Sequence, residues 1–330
     1  MLYVDNRGIT DPRLNLALEE HVLRNRFPGE ECLLFYINEP SIIIGRNQNT
    51  IEEIDPDAVE ARGIHVVRRI SGGGAVYHDL GNLNFSFIAP YAKQRFNRYE
   101  AFTRPVVMVL RELGVPAELG GRNDLVADGR KISGNAQFVT GDRMFSHGTV
   151  LVDTDLDVMP TVLTPKPGKI ESKGHKSVRS RVANIREFLA EPMTAEELRG
   201  RLLEGIFGDS SPQERLELTD DDWAAVRALA DAKYGTWEWN IGKSPPCNVS
   251  RAERFPFGEI DVRIDVQEGR IAGVRFFGDF IGLEEVAGLE RQLQGVRYGR
   301  EPIESALRAV DLASYFGPME RGDLMRLLCG

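Results

Sequence analysis

The chain predicts a mixed α/β protein of the α+β kind, with largely antiparallel sheets flanked by helices and a small α+β unit at its end. Three observations predict this. Residues 125–152 read as a meander, because Asp128-Gly129 suits a type I′ hairpin turn and Gly141-Asp142 offers a second turn. The triple glycine Gly72-Gly73-Gly74 leads into Ala75-Val76-Tyr77, a strand-like run, so it does not open a helix as a dinucleotide-binding fingerprint would. Beyond Trp237 to Pro246, a Gly- and Pro-bearing junction, a hairpin and several short amphipathic helices form a unit with its own core. This places a larger domain at 1–245 and a smaller one at 246–330.

Each element has a local cause. Asp11-Pro12 opens a helix with Asp11 as cap and Pro12 in the first turn, and Leu14, Ala17, Leu18, His21 and Val22 follow at helical spacing. The apolar runs 33–37 and 42–44, separated by Asn38-Glu39-Pro40, read as a β-hairpin. The run 64–67 feeds the glycines. Leu83, Phe85 and Phe87 alternate with Asn82, Asn84 and Ser86, the pattern of a half-buried strand. A helix over 99–113 ends at Gly114. Thr194-x-x-Glu197 is a capping box ahead of a helix to about Phe207, and another helix starts near Asp220 with Trp223, Val226 and Leu229 on one face. In the last unit, Ile260, Val262, Ile264 and Val266 pair with 271–277 across Glu268-Gly269, and helices follow over 283–293, 303–310 and near Leu324.

Bulk properties exclude several classes. The 330 residues are 42% hydrophobic and 28% charged, as in a globular protein, and the net charge of −9 argues against a nucleic-acid binder. Cys32, Cys247 and Cys329 are scattered, which disfavours a zinc site and a disulfide framework. Cys32 sits in an apolar run and reads as core. No signal-peptide pattern and no membrane-length apolar run is seen, so the expected location is the cytoplasm, without a membrane partner.

Chemistry concentrates in a few segments. Arg68-Arg69-Ile70-Ser71-Gly72-Gly73-Gly74 combines fork-shaped cations with unencumbered peptide amides, which reads as a cradle for an anion or as a glycine-rich turn between two strands. Residues 164–181 gather Lys166, Lys169, Lys173, His175, Lys176, Arg179 and Arg181 against Glu171 alone, which reads as a phosphate clamp or a solvated loop. Lys131 follows a tight turn; it reads as a buried-looking lysine that can neutralise an acyl phosphate, or as an exposed strand lysine. Asn123-Asp124 offers a magnesium site or a simple turn pair. His78-Asp79 offers a carboxylate-oriented ring or a structural turn histidine, and His147-Gly148-Thr149 a donor beside an opening. No nucleophile–base pair stands out, so positioning and electrostatics on a nucleotide fit better than acyl-enzyme chemistry.

These motifs together resemble the lipoate–protein ligases. The resemblance rests on 68–86 from Arg68-Arg69 to Phe85-Ser86, on Lys131-Ile132-Ser133-Gly134-Asn135-Ala136-Gln137, on His147-Gly148-Thr149-Val150-Leu151, and on Lys176 to Asn184. It extends from Asn15-Leu16-Ala17-Leu18-Glu19-Glu20 to Phe277-Gly278-Asp279-Phe280. It implies a biotin/lipoate ligase-type catalytic domain with an accessory domain, and a two-step reaction. Lipoate and ATP give lipoyl-adenylate, and a lysine of an acceptor takes the acyl group. The acceptors implied are lipoyl domains of 2-oxoacid dehydrogenase acyltransferase subunits or the glycine-cleavage carrier protein, with Mg²⁺ as cofactor and a monomeric enzyme. By resemblance, Lys131 is catalytic. Arg69, Ser71, Gly72, Gly73, Gly74, Ala75, Val76, Tyr77, His78, Asn82, His147, Thr149, Lys176, Val178, Arg179 and Arg181 line the adenylate and lipoate site, and Asp124 holds magnesium. The rivals are an ATP-independent octanoyl or lipoyl transferase of the same superfamily, and a non-catalytic lipoate- or nucleotide-binding regulator.

Overall fold

The computed structural model describes residues 1–163, 181–208, 215–242, 249–267 and 269–329, and it separates into two units. The first comprises 1–44, 51–69 and 75–240, and the second 45–50, 70–74 and 241–330. The expected boundary at 245/246 lies outside the described residues.

In the first unit the chain order is β1 (Leu2–Val4), α1 (Pro12–Asn25), β2 (Cys32–Ile37), β3 (Ser41–Ile44), α2 (Thr50–Glu53), α3 (Pro56–Ala61), β4 (His65–Arg68), β5 (Val76–His78), β6 (Asn82–Pro90) and α4 (Glu100–Glu112). It continues through β7 (Ala117–Gly120), β8 (Asp124–Ala127), β9 (Arg130–Thr140), β10 (Arg143–Leu151), α5 (Met159–Val162), α6 (Ala195–Phe207), β11 (Arg215–Leu216), α7 (Asp220–Leu229) and α8 (Trp237–Asn240). An eight-stranded sheet runs β11-β1-β2-β6-β10-β9-β8-β7, antiparallel except at β1, and a small sheet runs β4-β3-β5. The turns expected between β8, β9 and β10 are present, with Asp128 and Gly129 both at positive φ (48° and 73°) as a type I′ turn needs. The Asp11 side chain accepts from Arg13 N and caps α1, and the Thr194–Glu197 capping box opens α6.

Two expectations fail. β2 and β3 do not form a hairpin. Both edges of β2 are taken by β1 and β6, so β3 crosses to the small sheet and pairs with β4 and β5. Strand β6 is not half-buried either. It lies mid-sheet with both faces covered, and Asn82, Asn84 and Ser86 are as buried as Leu83 and Phe85.

The two faces of the large sheet therefore differ in kind. Leu33, Phe35, Leu83, Phe85 and Phe87 point to an apolar core closed by α4 and α6. The opposite face, carrying Tyr36, Asn84, Ser86, His147 and Thr149, lies under α1.

The second unit has an antiparallel sheet β12 (Val249–Phe255), β13 (Gly258–Gln267) and β14 (Arg270–Gly278), packed with α9 (Val286–Leu293), α10 (Arg300–Leu307), α11 (Leu312–Phe316) and α12 (Arg321–Cys329). β12 and α11 are additions to the sequence reading. Short segments 45–50 and 70–74 belong to this unit. They explain part of the glycine run. A Cβ on Gly72 would stand 2.5 Å from the Phe280 carbonyl oxygen, and Gly73 adopts φ +90°. At Gly74 no described atom lies within 4 Å of where a Cβ would be.

Candidate active site

The polar face of the large sheet is assembled by register. Across β2, β6 and β10, Tyr36 stands beside Asn84 and Asn84 beside Thr149, while Ser86 stands beside His147. Period-2 alternation then sends all of these side chains to one side. α1 closes over them with Glu19, whose carboxylate oxygens lie 3.0 and 3.1 Å from His147 Nδ1. Glu19 is buried on the apolar stripe of its helix, so it fixes the ring and leaves His147 Nε2 to point elsewhere. Asn84 Nδ2 donates to the Tyr36 carbonyl at 3.1 Å. Burial, with the Glu19 carboxylate near it, pushes the Tyr36 phenol far above its usual range and keeps it a neutral donor.

Arg69 leaves the end of β4. Its backbone N–H bonds the Ile44 carbonyl and its Nη1 the Ile43 carbonyl, each at 2.9 Å. Burial lowers its pKa to about 10, with Tyr36 and Glu19 partly offsetting the loss, so it stays a cation at neutral pH. A buried guanidinium is a strong attractor for an anion. Arg68, its neighbour, points the other way and is bonded to Trp239 and Asn240. Only one of the two arginines therefore serves this face.

Lys131 is aimed by a β-bulge. The β8–β9 register shifts there, with Val126 opposite Lys131 but Leu125 opposite Ser133. The extra residue, Ile132, enters the apolar core, and the Lys131 ammonium lies over Gly134 and meets Asp124 Oδ1 at 2.8 Å. The lysine is not buried as the sequence reading had it: its side chain is 39% exposed. Its backbone is bridged by residues 181–183, Lys131 N–H to Arg181 O at 2.7 Å and Ala183 N–H to Lys131 O at 2.9 Å. Thr149 Oγ1 accepts from Gly134 N at 3.2 Å. The Asn123 amide is spent on the Asn135 carbonyl, which leaves Asp124 as the carboxylate of that turn.

His78 departs from expectation. Its Nδ1 bonds Asn38 Nδ2 at 3.1 Å, while Asp79 accepts from Gly81 N and Asp155 N. Burial, then Arg69 and His147, lowers the His78 pKa to about 3, so the ring is neutral. The Tyr77 ring belongs to the core of the small sheet. Ala75 and Val76 are partly exposed ahead of it. Among the described residues, His78 Nε2, Ser86 Oγ and both amide atoms of Asn82 are buried without a hydrogen-bond partner. Such atoms in a folded protein call for a ligand or water. Lys176, Val178, Arg179 and His175 lie outside the described residues. Among the described residues no group of three His, Cys, Asp or Glu side chains could hold a metal, and no helix is long and apolar enough to cross a membrane.

Sequence reasoning missed Glu19, Tyr36 and Asn38. The available signal for Glu19 was a carboxylate on the apolar side of α1.

A mixed sheet with a polar, cation-bearing inner face and a separate α+β accessory unit defines the lipoate ligase-type architecture. Residues 11–207 match the lipoyl protein ligase A/B catalytic domain, and 244–328 match the bacterial lipoate protein ligase C-terminus. The chain belongs to the lipoate–protein ligase family. It is 50% identical over 330 residues to lipoate-protein ligase LplJ of Bacillus subtilis, covering 99% of this chain and all of that one. Its fold is similar to P. falciparum LipL1 in complex with lipoate, with a TM-score of 0.77 at 23% identity, over 99% of this chain and 97% of that one. A lipoate-protein ligase A bound with ATP shares 33% identity at a TM-score of 0.59, over 70% of this chain and 94% of that one.

Proposed function

We infer that this chain is an ATP-dependent lipoate–protein ligase that works on the polar face of the large sheet. The full-length 50% identity to a ligase carries the reading, and the buried Arg69 cation with the bulge-aimed Lys131 on the catalytic unit supports it.

The chemistry follows from charge. A carboxylate oxygen of lipoate attacks the α-phosphorus of ATP, and the bond to pyrophosphate breaks. Negative charge grows on the phosphorus oxygens, and preorganised cations lower that cost. We assign Lys131 to the acyl and phosphate oxygens, and Arg69 to the anion beside them. An incoming triphosphate competes with Asp124 for the Lys131 ammonium, so binding exchanges one ion pair for another. Asp124 would then be the carboxylate to hold Mg²⁺, which would supply charge neutralisation at the phosphates. Ser71 to Gly74 follow Arg69 in the chain and are assigned amides for the phosphate. Ala75, Val76 and Tyr77 are assigned backbone contacts, and His78, Asn82, His147 and Thr149 polar contacts. Lys176, Val178, Arg179 and Arg181 are assigned the clamp by similarity to the family. In the second step the ε-amine of an acceptor lysine attacks the acyl carbon. The carbon–oxygen bond to AMP breaks, an amide forms, and the amine proton passes to solvent. The acceptors we propose are lipoyl domains and the glycine-cleavage carrier, met by a monomeric enzyme in the cytoplasm.

Pyrophosphate release with lipoate and ATP, followed by the mass of an apo lipoyl domain, tests this. Lipoate-dependent release and a lipoyl mass gain are expected. Acylation without ATP from an octanoyl carrier would instead make the protein a transferase. The described thiols fit the ligase better: Cys32 is buried within β2, where burial raises its pKa, and Cys329 lies in the accessory unit.

A further inference from the structure

Among the described residues β4 is an edge strand, paired with β3 on one side only. At Arg68 the open edge is filled from far along the chain. Asn240 Oδ1 accepts the Arg68 N–H at 2.9 Å, and the Trp239 indole Nε1 donates to the Arg68 carbonyl at 2.8 Å. These are the two bonds a neighbouring strand would make. The guanidinium returns the grip, with Nε to the Trp239 carbonyl at 2.9 Å and Nη2 to the Asn240 carbonyl at 3.2 Å. Arg68 is 1% exposed.

The clasp is itself braced. Asn240 Nδ2 donates to the Tyr234 carbonyl at 2.7 Å, and the Lys233 ammonium lies 4.3 Å over the Trp239 ring. Lys233 and the Tyr234 hydroxyl both bond Glu20, the neighbour of Glu19 on α1. One network thus runs from Arg68 to the helix that holds His147.

We propose that Arg68, Trp239 and Asn240 form a positioning clasp that fixes the direction of Arg69, and with it the anion site assigned above. Two facts make Arg69 depend on it. Past Arg69 the chain enters Gly72-Gly73-Gly74, whose backbone has little intrinsic conformational preference of its own. The two adjacent guanidiniums are both buried and repel each other, and burial with Arg69 lowers the Arg68 pKa to about 10. Carbonyls of α8 satisfy Arg68 and so keep it away from the site.

A double-mutant cycle on the full chain tests this through pyrophosphate release. Trp239→Phe keeps the ring over Lys233 and removes the indole donor. It should lower kcat/KM for lipoate about ten- to a hundredfold, the scale of a small misplacement of a site group. In an Arg69→Lys background the same change should cost less than about twofold, because the residue it acts through is already altered. Asn240→Asp, which keeps the acceptor for Arg68 N–H, should lose less than Asn240→Leu. Full additivity in the cycle, or wild-type kinetics in Trp239→Phe, overturns the clasp alone. A silent wild type overturns the ligase reading and the clasp with it.

Discussion

The two faces of the eight-stranded sheet are buried equally and for opposite reasons. On one, Leu83, Phe85 and Phe87 meet α4 and α6, and every contact serves the hydrophobic effect. On the other, Asn82 and Ser86 keep polar atoms out of water with no hydrogen-bond partner among the described residues. A domain tolerates such a face only where function requires it, because each unpaired buried group costs about 1–3 kcal/mol. The stability of the first face therefore supports the chemistry of the second, and the two should fail differently when cut.

The largest separation is expected at Lys131. Lys131→Ala should slow pyrophosphate release roughly a hundred- to a thousandfold, the usual loss when a donor to developing charge is removed. Its urea midpoint should stay near wild type, since a half-exposed ion pair with Asp124 contributes at most about 1 kcal/mol. Near-normal release by this variant would end the role given to Lys131. On the apolar face the order reverses. Phe85→Ala should cost about 3–5 kcal/mol of stability, read from denaturant unfolding, while the molecules still folded keep their KM for lipoate. A loss under about 1 kcal/mol would show that Phe85 is not the core residue its burial indicates.

Much of this division was legible in the sequence and some was not. The meander, the type I′ turn, the capped helices and the separate last unit followed from local rules. The β2–β3 hairpin was wrong because local rules do not know that β6, 45 residues later, takes the edge of β2. The polar half of β6 was read as solvent-facing because a two-letter pattern cannot tell a wet face from a polar site under a helix. Lys131 was expected buried, and the bulge that tilts it outward has no sequence signature. Arg68 and Arg69 looked like one cationic pair. Neighbours on a strand point to opposite sides, so one of them had to leave the site.

His78 gives a smaller effect, through pH. Its folded pKa of about 3 lies below the ordinary 6.5, because burial and the nearby Arg69 disfavour the cation. The unfolded chain binds the proton first. The contribution of neutral His78 is thus complete above pH 6.5 and is lost as pH falls from there toward 3. Within that window unfolding free energy should fall by up to about 1.4 kcal/mol per pH unit from this group. His78→Gln should flatten that slope in acid unfolding curves. An unchanged slope would mean that the ring is reached by water.

The smallest effect is expected at the cap of α1, the helix that covers the polar face. The Asp11 side chain accepts from Arg13 N at 2.8 Å and satisfies a first-turn donor. Asp11→Ala should cost about 1 kcal/mol in denaturant unfolding. Glu19 sits two turns farther on and is held by His147, so a frayed first turn should leave KM for lipoate within about twofold, the tolerance of uncoupled sites. If KM rises more than that, the helix does not merely cover the polar face but transmits its own stability to it, and the two faces are less independent than their packing implies.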